Sequence, residues 1–129
     1  MNQFLIALLL TLPILASVPK NQSSGFNNEE KRKKVTQAIL DNLVKEKYED
    51  ARSDFHVSLK AVLPVEKISE NWRAIIQLNG KFQKVLSVNA ITTMGYNQVQ
   101  LRCEFANDNM TLEATFNEDD KVIGLYFKP

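Results

Sequence analysis

The sequence predicts an α+β domain, with helices up to Gly80 and a four-stranded antiparallel sheet after it. Two observations carry that expectation. Before Gly80 the apolar residues recur three or four apart, the helical period; after it they alternate with polar ones, the period of a strand with one buried face. The alternating stretches are also separated only by short turn-forming pieces, Met94-Gly95, Asn107-Asp108-Asn109 and Asn117 to Asp120, which suit hairpins between antiparallel neighbours. Helices that precede the strands, instead of alternating with them, are expected to collect on one face of the sheet.

Taken in order, the chain opens with a segment unlike the rest. From Phe4 to Val18 no residue is charged, and only Thr11, Pro13 and Ser17 are not apolar. A helix of that length rises about 22 Å, short of the roughly 30 Å hydrocarbon core of a bilayer. Residues 1–18 are therefore expected to be a cleaved signal peptide, not a stable membrane span, with Leu15-Ala16-Ser17-Val18 supplying small residues for cleavage. The mature chain is then expected to be secreted or periplasmic. Residues 19–28 are polar and turn-rich and predict a linker, leaving 29–129 as a single domain.

A first helix is expected from Asn27 or Asn28, with Glu29 and Glu30 at its positive end and Val35, Ala38, Ile39, Asn42 and Leu43 on one face. The run Lys31-Arg32-Lys33-Lys34 reads as a solvated face beside those two acids. A second helix is predicted from Tyr48 to Val62, with Tyr48, Ala51, Phe55, Leu59 and Val62 as its buried stripe and Arg52, His56 and Lys60 stacked on another face. Leu63-Pro64 ends it, since a residue before proline is pushed out of the α region, and Pro64 suits the start of a third helix. There Val65, Ile68, Trp72 and Ile75 face inward, and Gly80 is placed for a left-handed stop.

The first strand is expected within Val85 to Thr93. In the next, Val99, Leu101, Cys103 and Phe105 alternate with Gln98, Gln100, Arg102 and Glu104; then Met110, Leu112, Ala114 and Phe116 alternate with Thr111, Glu113 and Thr115. A last strand follows from Lys121 to Phe127. The polar face of this sheet is expected to meet water or a second copy of the chain, which makes a homodimer one expectation.

Composition narrows the chemistry. Sixteen Lys and Arg against fifteen Asp and Glu give a net charge of +1, so nucleic acid is not an expected partner. One cysteine and one histidine permit neither an internal disulfide nor a Cys-rich or multi-histidine metal site, and no metal or cofactor is expected. Cys103, on the apolar side of its strand, is expected to act as a small buried hydrophobe and not as a nucleophile. Glu118-Asp119-Asp120 lacks the alternating ligands and the glycine of a calcium loop. His56 is the sole imidazole and is expected on one helical face between Arg52 and Lys60 at four-residue spacing.

Together, Ala51-Arg52-Ser53-Asp54-Phe55, Leu63-Pro64, Ile68, Trp72, Gly80-Lys81-Phe82, Cys103-Glu104-Phe105 and the ending Gly124-Leu125-Tyr126-Phe127-Lys128-Pro129 resemble a bacterial, often exported domain family of unknown function. That domain is similar to the cystatin-like cone folds of the nuclear-transport-factor-two superfamily and is sometimes found ahead of an α/β-hydrolase. The resemblance implies a curved sheet wrapped against the helices as a cone. Its matching residues are mostly aromatic, Gly or Pro, which a fold needs more than a reaction does, and no catalytic set comes with it. With the sequence ending at Pro129, the domain is expected to act alone or on a separate partner.

In such a cone the apolar side chains left over where helices and sheet diverge line a pocket. Phe55, Leu59, Trp72, Ile76, Phe82, Phe105 and Phe116 are the candidates; the competing expectation is that they fill the junction completely. The function expected is an exported, non-enzymatic binding or protein-interaction module for a small apolar ligand or a protein partner. The alternative is a proton-transfer enzyme, isomerase- or lyase-like, working through Asp54, His56 or Tyr126.

Overall fold

The computed structural model describes residues 17–129. Residues 1–16 of the expected signal segment lie outside them. Within the described residues the order is α1 (Ser17–Val44), α2 (Tyr48–Ala51), α3 (Val57–Val62) and α4 (Val65–Asn79), then β1 (Phe82–Thr93), β2 (Tyr96–Phe105), β3 (Asn109–Phe116) and β4 (Val122–Lys128). The strands form one open sheet in the order β1-β2-β3-β4, each antiparallel to the next. The protein is thus α+β, helices first. The chain divides into two units between Glu30 and Lys31, and the second, Lys31–Pro129, holds the hydrophobic core.

α1 starts ahead of the Asn27 or Asn28 that the sequence predicts, so residues 19–28 are helical where a linker is expected. Pro19 suits a first helical turn, and from Lys20 to Lys34 neither proline nor a β-branched residue interrupts the helix. The buried face also turns relative to the expected one. Thr36, Ile39, Leu40 and Leu43 are buried, while Ala38 is exposed. Thr36 enters the core because its Oγ1 donates to the Arg32 carbonyl one turn back, at 2.9 Å, leaving no unmet polar group. Arg32 itself leaves the solvated basic run: its guanidinium meets Asp120 at 2.9 Å, and the two side chains are only 11% and 14% exposed. This pair ties α1 to the turn before β4.

The predicted helix from Tyr48 to Val62 is two helices. After Ala51 the chain leaves the helical path, and Phe55 makes a parallel bridge to Val122: the Val122 amide donates to the Asp54 carbonyl at 2.9 Å and the His56 amide to the Val122 carbonyl at 2.8 Å. A helix would have spent those main-chain groups internally. His56 then caps α3, its Nδ1 accepting from the Ser58 amide at 3.1 Å. Arg52 does not stack with His56 and Lys60; it reaches to the end of α3, donating to the Lys60 and Leu63 carbonyls, both at 3.2 Å. Tyr48, Ala51, Phe55 and Leu59 are buried as the stripe requires, but Val62 is 68% exposed.

α4 runs from Pro64 to a stop at Gly80, whose φ of +85° is a conformation L side chains rarely adopt. A Cβ on Gly80 would lie 2.8 Å from the Ala106 Cβ. That close approach comes from main-chain bonds that zip the end of α4 to the β2–β3 turn, with the Asn107 amide donating to the Asn79 carbonyl and the Ala106 amide to the Lys81 carbonyl.

The sheet follows the alternation. Val99, Leu101, Cys103, Phe105, Leu112, Ala114, Phe116 and Val122 are at most 2% exposed and form the sheet side of the core. On the other face the polar residues pair across strands. Gln98 donates to Thr115 at 3.0 Å, Arg102 to Thr111 at 2.9 Å, and the Glu113 carboxylate accepts from Gln100 at 2.9 Å and from Lys128 at 3.2 Å. Each such cross-strand pair contributes on the order of 0.2–1 kcal/mol.

Candidate functional site in an apolar cleft between α4 and β4

An open cleft of about 380 Å³ lies between α4 and the edge strand β4. Ile68, Asn71, Trp72, Ala74 and Ile75 of α4 form one wall. Met110 of β3 with Leu125, Tyr126 and Phe127 of β4 form the other, and Leu43 and Leu63 close the ends. The helical residues fall on one side of α4 by their three- and four-residue spacing. Leu125 and Phe127 reach the cleft because alternate residues of β4 point to the core face, and an edge strand has a neighbouring strand on one side only.

No Asp, Glu, Lys, Arg or His lines this cleft; Asn71 is its polar residue on α4, and Tyr126, whose ring lies on the other sheet face, borders it at the β4 edge. Its floor is aromatic. Trp72 packs against Phe127, with ring centroids 5.8 Å apart, and against Phe105 at 6.0 Å, and Phe105 in turn meets Phe82 edge-on at 5.7 Å. Such pairs stabilise by about 0.5–1.5 kcal/mol each beyond the area they bury. A surface of this kind holds an apolar body by exclusion of water and offers a few polar groups to orient it.

Of the seven pocket candidates, Trp72 alone lines the cleft. Phe55, Leu59, Phe105 and Phe116 are buried in the core, and Ile76 and Phe82 pack partly buried against it. Trp72, Phe105 and Phe82 pack ring against ring, and the cleft opens beside Trp72 toward β4. Met110, Leu125 and Phe127 are the wall that sequence reasoning misses. Their inward side is legible from the alternation, but not that α4 and β4 leave space between them.

The three proton-transfer candidates are not brought together. Asp54 and His56 flank the bridge to Val122 through their main chains, and the His56 ring is engaged with Ser58, its Nδ1 lying 2.9 Å from Oγ. Tyr126 pairs with Glu113 on the sheet face opposite the core, and its ring lies over Gly124, with Cε2 3.2 Å from where a Cβ would stand. Cys103 is fully buried, and burial pushes its thiol up to about 11, which suits the small hydrophobe that its strand position predicts. Among the described residues no group of His, Cys, Asp or Glu could hold a metal ion, and no helix is long and apolar enough to cross a membrane.

No curated protein and no solved structure matches the chain. A family model described as a protein of unknown function, DUF3887, matches residues 36–125, which take in the whole of the cleft's walls but Tyr126 and Phe127. The chain belongs to that family.

Proposed function

We propose that the protein is an exported binding module that takes a small apolar ligand in the cleft between α4 and β4. The observation that carries this reading is the cleft itself: about 380 Å³, open to solvent, with walls that are apolar apart from Asn71 and Tyr126 and bear no charge. That volume lies within the range of small-molecule sites. Export is supported by the apolar run from Phe4 to Val18, and the order of four helical segments before a four-stranded meander supports a cystatin-like cone. The absence of Asp, Glu, Lys, Arg and His from the cleft lining supports binding over proton transfer there.

Trp72 is the sole tryptophan and lines the cleft, so its emission reports on occupancy. Titration with dodecanoate, an apolar chain with one polar head, is expected to shift Trp72 fluorescence saturably. Ala74 is exposed on the cleft wall, and Ala74→Phe fills the space without touching the core, so it is expected to weaken the response by about tenfold or more. A linear, unsaturable response, or one that Ala74→Phe leaves unchanged, would sink the reading.

A further inference from the structure

From Val85 to Leu101 the chain carries no charged residue. This stretch is the hairpin of β1 and β2, and β1 pairs with no strand but β2 among the described residues. None of the residues of β1 is fully buried. The two halves of the strand differ. The first half carries Lys84 and two register irregularities, between Phe82 and Lys84 and between Val85 and Ser87. From Ser87 to Thr93 the pairing runs without a break, and this half has neither charge nor proline nor bulge. Sheet edges are ordinarily guarded against other strands by those very devices, and here they stop at Ser87.

The opposite edge is treated differently. β4 begins under the Asp54–His56 segment, which bonds Val122 through both its amide and its carbonyl, and it ends on Lys128. The polar sheet face meets its own needs through the Gln98–Thr115, Gln100–Glu113 and Arg102–Thr111 pairs. The main-chain donors and acceptors on the outer side of Ser87–Thr93 form a regular row without a strand among the described residues, whereas the outer row of β4 is bonded at Val122 and, beyond it, borders the cleft and closes on Lys128. Val88, Ile91, Thr92 and Thr93 give the β1 row the β-branched character that a further strand packs against.

We infer that Ser87–Thr93 pairs antiparallel with the same segment of a second copy, joining the two sheets into one across a two-fold axis. Charge selects this occupant. In an antiparallel pair the residues directly opposite share a face, so Ser87, Asn89, Ile91 and Thr93 meet one another on the outer face and Val88, Ala90 and Thr92 on the core face. No register within the segment sets like charges against each other, and Lys84 of each copy falls beside the uncharged hairpin end of the other. Ile91, which lies opposite Gln98 on the outer face and is 40% exposed, gains cover in the process. The contact is isologous and consumes the edge, so association stops at two.

The test is sedimentation velocity on the full chain and on the single variants Asn89→Lys and Ile91→Lys, with circular dichroism and thermal midpoints to show that each variant is folded. Both positions are exposed, and neither side chain belongs to the core. The expected result is a wild-type dimer that each lysine weakens by about tenfold or more, since the two-fold brings the added charges close together. A wild type that stays monomeric up to about 100 µM would overturn the proposal. So would a dimer that neither lysine affects, which would place the contact elsewhere, or association that continues past two copies.

Discussion

Among the described residues, Cys103 and Tyr48 are side chains whose ionisation the fold resists, both chiefly through burial. The Cys103 thiol is pushed from 9.0 up to about 11, and the Tyr48 hydroxyl is raised by burial and then by the nearby Glu46 carboxylate. The Tyr48 oxygen is buried with no hydrogen-bond partner, and the Arg73 charge, which favours the phenolate, only partly offsets burial and Glu46. The sign follows from proton counting. Between pH 9 and 11 the unfolded thiol loses its proton while the native one keeps it, so the native state binds more protons and stability falls as pH rises. Below that window the contribution is fully present. Urea unfolding followed from about pH 8 to 11 is expected to lose about 2–3 kcal/mol, and Cys103→Val is expected to flatten most of that slope. The smaller residue of the slope, above pH 10, belongs to Tyr48.

At the scale of the element, the two hairpin and helix ends that rest on glycine separate strain from collision. Gly80 and Gly95 have nearly the same φ, +85° and +82°, but a Cβ at Gly80 meets the Ala106 Cβ at 2.8 Å and one at Gly95 meets nothing within 4 Å. Gly95→Ala is therefore expected to cost about 1 kcal/mol from the backbone alone, and Gly80→Ala about 2–4 kcal/mol, because the helix end and the β2–β3 turn must separate. Thermal unfolding of both variants measures the difference. The stop at Gly80 is legible in the sequence because its cause is local, a glycine closing a helical period ahead of a strand period. The break between α2 and α3 is not legible. Its cause is Val122, far along the chain, which takes up the main chain of Asp54 and His56 and so ends a pattern that is helical on local evidence. The same holds for Arg32, whose place in a basic run says nothing of its pairing with Asp120.

At the scale of the whole molecule, periodicity reveals which residues face the core and leaves hidden how two layers meet. The alternation in β2 and β3 identifies Val99, Leu101, Cys103, Leu112 and Phe116 as interior residue by residue, and the sheet order follows from short turns. Whether α4 covers β4 depends on the sum of side-chain volumes between them, which no pattern of single residues contains; hence Trp72 is anticipated in the cleft and Leu125 and Phe127 are not. The two surfaces argued above stand on opposite edges of the sheet. The cleft lies beside β4 and the unguarded segment is on β1, with β2 and β3 hydrogen-bonded between them. No residue lines the cleft and also belongs to Ser87–Thr93. Ligand and second copy should then act independently, since sites that share no partner and sit well apart add within about 0.3–0.5 kcal/mol. Ile91→Lys is expected to leave the Trp72 titration midpoint unchanged within about twofold, and Ala74→Phe to leave the sedimentation behaviour of the dimer unchanged to the same degree. A dimer that tightens when dodecanoate is added would show instead that β2 and β3 transmit a change across the sheet, with a coupling equal in both directions.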